Sequence, residues 1–169
     1  MEKRFDRLLL SFTLVEEADL IFDMYEEAIN NIPHEHWKTG DIDYLIPARL
    51  VLHATEVADN YTPDNPTGYL WEKKFNYEPD LDKVPNEELP SKEVMYDYHT
   101  EVRKKIKEWL RSLTIDDLVK SEETFTWTGS TQLGRIIYLL GHHRQHFGEL
   151  NAELRRRGLS RIKWTTIKP

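Results

Sequence analysis

The stretch "STQLGRIIYLLGHHRQHFGELNAELRRRG", residues 130–158, reads as one long helix. Ser130 can cap its start, no proline interrupts it, and Leu133, Ile136, Leu140, Phe147 and Leu154 recur with helical spacing. Its end is marked too. Arg155, Arg156 and Arg157 complement the helix dipole in the last turn, and Gly158 suits the left-handed position that follows a helix. The helix is therefore expected to run to Arg157, and its dipole accounts for the basic cluster without a nucleic acid.

Three more helices are expected upstream. From Thr13 to Asn31 there is neither proline nor glycine, Thr13 and Glu16 have the form of a capping box, and Leu14, Ala18, Ile21, Met24, Tyr25 and Ile29 share a face. Pro33 stops this first helix. The second lies in "DYLIPARLVLHATEVADNY", residues 43–61, where Pro47 suits a first turn and Ile46, Leu50, His53 and Val57 line one side. His53 thus points at least partly inward. Residues 62–90 hold five prolines and seven acids and are expected to form a long ordered link. Ser91 can cap the third helix, to about Leu113. The segment "TFTWT", 124–128, alternates threonine with aromatics and is expected to be extended. Four long helices without a recognisable strand pattern lead to the expectation of an all-α fold, a four-helix bundle with a long link between its second and third helices. At 169 residues, 39% of them hydrophobic, one domain over 1–169 is expected.

Composition removes several classes of function. There is no cysteine, which excludes a disulfide framework, a thiolate metal site and a cysteine nucleophile. A net charge of −7 argues against a broad phosphate-binding surface, so no nucleic-acid partner is expected. No apolar run approaches the ~20 residues that cross a bilayer, and "MEKRFDRLLLSFTL" lacks the pattern of a secretory leader. The expectation is a cytoplasmic protein with no membrane partner.

Within the last helix, "GHHRQHFGEL", residues 141–150, carries three of the seven histidines of the chain. His142 and His146, four apart, project from one face and can ligate the same ion; His53 can bring a third nitrogen from another helix. Three imidazoles with one open position describe a catalytic type of site, suited to zinc, nickel or ferrous iron. A blander origin fits the same residues. At ~100° per residue the apolar face is centred nearer His143 than His142, a lone inward His53 is more often structural than ligating, and His-x-x-x-His also arises on polar faces. Periodicity alone does not choose the pair.

Other residues give weaker signals. Glu56, one turn after His53, and Glu149, one turn after His146, could orient an imidazole or shuttle a proton, although solvated surface is the commoner fate of a helix glutamate. Arg49 and Arg144 could hold an anionic group, or be solvated. His34 and His36 fall in a turn after Pro33 and His99 in the third helix, without an assigned role. Tyr69, Trp71, Phe75 and Tyr77 punctuate the link, either pinning it down or walling a site.

"HHRQHFGELNAELRRRG" resembles the last helix of the DinB-like/YfiT-like metal-binding proteins, with its His-x-x-x-His-x-Gly-Gln-Leu pattern followed by arginine and glycine. "IPARLVLHATEVADNY" resembles their second helix, whose single histidine completes the site. Carried over position by position, the resemblance implies ligands His53, His142 and His146 and leaves His143 out. The chain departs from the pattern at Glu149, where glutamine is usual, and at Phe147, where arginine is frequent. What the resemblance implies is a metal-dependent enzyme; the candidate catalytic groups, Glu56 and Glu149, come from their places one turn after His53 and His146 and not from the family pattern, which has glutamine at 149. The reaction would be S-transfer from a low-molecular-weight thiol, a thiol-dependent isomerisation, or hydrolysis of a small-molecule substrate. The alternatives are a non-catalytic binder of a metal or small ligand in a stress response and a purely structural helical module. A homodimer is left open as the assembly.

Overall fold

The computed structural model describes residues 2–62, 75 and 83–166. Four long helices dominate these: α1 (Glu2–Asn31), α3 (Pro47–Asn60), α4 (Lys92–Ser112) and α6 (Gln132–Arg156), with two single-turn helices, α2 (His34–Trp37) and α5 (Ile115–Leu118), in the connections. Among the described residues there is no strand, and one isolated bridge joins Ser121 to Thr131. The protein is all-helical there, and none of these helices is long and apolar enough to cross a membrane.

Local chemistry explains most of the boundaries. Pro47 opens α3, where its missing N–H costs nothing. Ser91 caps α4 by accepting from the Val94 amide. Gly158 closes α6 at φ +72, a conformation that strains any residue with a Cβ. Three expectations are corrected. The first helix starts at Glu2, so Thr13 and Glu16 lie inside it and cap nothing; "EKRFDRLLLSF" has no breaker to stop the helix propagating upstream. The last helix is capped by Thr131, whose hydroxyl accepts from the Gly134 amide, and Ser130 lies outside it. The turn expected after Pro33 is a single turn of helix, α2, over His34–Trp37. "TFTWT" is not extended: Thr126–Thr128 is a 3-10 turn, because the Glu122 carboxylate accepts from the amides of Thr124 and Phe125 and the Thr128 hydroxyl donates to the Phe125 carbonyl.

The long helices enclose one core, with α1 against α4 and α6, and α3 against α4 and α6. Ile21, Met24, Ile29, Leu52, Met95, Phe147 and Leu150 are among its fully buried side chains, each contributing about 1.5–3 kcal/mol by leaving water. Along the α1–α4 seam Arg103 pairs with Asp19, Asp23 and Glu26, and Lys107 with Asp19. Such half-exposed pairs set register more than stability. α1 meets α6 at one point that matters for the site: the Tyr25 hydroxyl donates to the His143 carbonyl at 2.8 Å, fixing how far α6 slides along α1.

Candidate metal centre

The cluster is assembled from two helices. His142 and His146 stand one turn apart on α6, and His53 comes from α3, which packs against it. One nitrogen from each of the three rings lies within 4.8 Å of the other two. The two Nε2 atoms of α6 are 3.1 Å apart, and the His53 ring centroid is 4.8 Å from that of His146 and 5.3 Å from that of His142. All three rings are half-buried.

Hydrogen bonds settle the tautomer of one ring. Nδ1 of His146 lies 2.6 Å from the Glu149 carboxylate; a carboxylate only accepts, so Nδ1–H donates to it, and in the neutral ring Nε2 carries the lone pair. That lone pair faces Nε2 of His142. Bonds of ~2.0–2.1 Å to one tetrahedral ion would place ligand nitrogens about 3.3 Å apart. The 3.1 Å found between the α6 nitrogens is close to this, so His142 and His146 are spaced to share one divalent ion, with the His53 nitrogen within 4.8 Å of both. Burial, and after it the neighbouring rings of His146, His143 and His53, push the His142 imidazolium down to about 3, so this ring is neutral at ordinary pH. Nδ1 of His142 is buried without a hydrogen-bond partner among the described residues. Its ring is oriented instead by stacking on Tyr138, one turn earlier, at 6.1 Å and 23°.

His143, next in sequence, goes the other way. It is 3% exposed, its Nδ1–H donates to the Leu139 carbonyl at 3.0 Å, and its ring lies against Phe22 and Tyr25 of α1. Burial pushes it down to about 3 as well. Of the two adjacent histidines, His142 joins the cluster and His143 the core.

Glu149 touches the cluster through His146. Glu56 is 1% exposed, which overturns the expectation of a solvated glutamate; α3 is covered on most sides, so its polar residues are buried with the rest. Arg49 is likewise buried and not solvated: Nη2 donates to the Val84 carbonyl and the Asn86 side chain, and Nε to the Asp43 carbonyl, pinning the start of α3. Arg144 pairs with Glu17 and lies over the Trp164 ring, apart from the cluster. His34 is exposed near Glu93, and His36 accepts from Arg157. His99 is a core residue donating to the Phe22 carbonyl at 3.0 Å. Phe75 packs edge-on against Tyr98, whereas Tyr69, Trp71, Tyr77 and most of the 62–90 link lie outside the described residues.

Sequence reasoning missed Tyr138, whose signal was its place four residues before His142. No family model, no curated protein and no solved structure matches this chain.

Proposed function

We propose that the protein is a DinB-like metal-dependent enzyme, a four-helix bundle in which His53, His142 and His146 hold one divalent transition ion and a thiol or water attacks a small electrophile. The observation that carries this is the convergence of three ring nitrogens from α3 and α6 within 4.8 Å, with the back of one ring already held by a carboxylate. Three neutral imidazoles leave the full charge on zinc, nickel or ferrous iron, and such an ion lowers the pKa of a thiol or water in its open position. A thiol would come from solution, since the chain has no cysteine.

The residues of the chain have separate tasks in this reading. Glu149 keeps the proton on Nδ1 of His146 and turns Nε2 inward, a positioning role of the kind that raises ligand basicity. Glu56 stands three residues after His53, the spacing by which Glu149 reaches His146, and we assign it the same task for that ring. Tyr138 holds the plane of His142 by stacking.

The test is metal analysis of protein purified without a nickel column, followed by turnover of a panel of electrophiles and esters with several thiols. About one ion per chain and metal-dependent turnover support the enzyme. An ion without turnover, with a small ligand bound at it, favours the non-catalytic binder, and less than a tenth of an ion after reconstitution removes both.

A further inference from the structure

Beside the histidine cluster lies an aromatic surface built from three separate segments. Tyr138 on α6 stacks on His142 and is 38% exposed; Trp127, on the 3-10 turn before α6, is 63% exposed. Between them sits buried Tyr61, directly after α3, with its ring edge-on to Tyr138 at 5.9 Å and to Phe125 at 4.7 Å. The Trp127 indole N–H donates to the Tyr61 hydroxyl at 3.1 Å, and Phe125 supports the indole edge-on at 5.6 Å.

A single exposed tryptophan is ordinary; Trp127 is in addition tied through its indole N–H to Tyr61. The turn that carries Trp127 is seated on α6 by two glycines. A Cβ on Gly134 would meet the Gly129 Cα and the Thr128 carbonyl oxygen at 3.3 Å, and Gly129 itself has φ +136. Behind the turn, the Arg135 guanidinium lies over both Phe125 and Trp109 and pairs with Glu122. The two exposed rings are therefore held in place before any ligand arrives, and their surface begins at a candidate metal ligand.

We infer that Tyr138 and Trp127 form the substrate-side wall of the metal centre, and that the group they take is a planar aromatic one, carried by the molecule whose donor atom reaches the ion. The inference rests on the metal reading above. Stacked and edge-on rings attract beyond the area they bury, and rings already fixed lose little freedom when a ligand stacks on them.

The experiment compares two hydroxamates that present the same donor atoms, acetohydroxamate and benzohydroxamate, by titration calorimetry on the nickel-loaded protein. Wild type should bind the phenyl compound about tenfold more tightly than the methyl one. Trp127→Ala should lose most of that preference while keeping its ion and its affinity for acetohydroxamate. Trp127→Phe, which keeps a ring, should retain it, and Tyr138→Ala should lose it. Equal binding of the two compounds by ion-loaded wild type, or a preference untouched by Trp127→Ala and Tyr138→Ala, overturns the wall and leaves the metal reading standing. A protein that takes up no ion overturns both.

Discussion

The carboxylate of Glu149 accepts a hydrogen bond from Nδ1–H of His146 at 2.6 Å, from three residues further along the same helix. The pair fixes which nitrogen of His146 is free, and it does so without help from the rest of the fold. Removing the acid should loosen the ring. Glu149→Ala is expected to weaken metal affinity about 10- to 100-fold, and Glu149→Gln, whose amide oxygen still accepts from Nδ1–H, to weaken it less. Competition titrations with a chromogenic chelator read both, and an unaltered affinity in Glu149→Ala would remove Glu149 from the site.

The adjacent histidines allow a sharper contrast. His53→Ala, His142→Ala and His146→Ala should each lose most of the bound ion. His143→Ala should keep the ion and lose about 2–3 kcal/mol of stability, because it empties a buried, hydrogen-bonded position. Metal content and urea unfolding distinguish the four. Loss of the ion from His143→Ala with retention in His142→Ala would mean that the wrong neighbour has been assigned.

Two core histidines make stability depend on pH. Burial pushes His99 down to about 4 and His143 to about 3, from an ordinary 6.5. The unfolded chain then binds more protons than the folded one between those values, so stability is complete above about 6.5 and is lost as the pH falls towards 4. At pH 5 each ring should cost roughly 2 kcal/mol relative to pH 7. Unfolding of metal-free protein at both pH values gives the loss, and His99→Gln or His143→Gln should reduce it. Equal stability at pH 5 and pH 7 would contradict the neutral, buried state of these rings.

An ion that binds the folded arrangement stabilises it by mass action. At ~100 times its Kd the gain is about 2.7 kcal/mol, or roughly 5–10 °C in melting temperature for a chain of this size. Calorimetric scans with and without a chelator check this, and the difference should vanish in His146→Ala.

Much of this molecule was legible where local rules decide. Pro47, Ser91 and Gly158 mark helix ends by their own covalent chemistry, and the four-residue spacing of His142 and His146 needs nothing but helix geometry to bring them together. Thr13 and Glu16 misled because a capping box has meaning only where a helix starts, and nothing upstream stops this one. "TFTWT" misled because the Glu122 carboxylate outbids strand pairing for its amides. Burial of Glu56 and Arg49 depends on how many neighbours cover α3, which no single helix encodes. The ring contacts among Tyr61, Trp127 and Tyr138 join three segments and have no period along the chain.

The split of the cluster between α6 and α3 bears on how the protein breathes. His142 and His146 come together whenever α6 is helical, but His53 arrives only when α3 lies against it. In the proposed metal-bound protein, local opening of α3 would remove His53 and leave a two-nitrogen grip, so an ion would resist that particular excursion more than fraying of α1 from α4. Amide hydrogen exchange should accordingly slow most along α3 when the ion binds, making the metal a brake on one hinge and not a general stiffener.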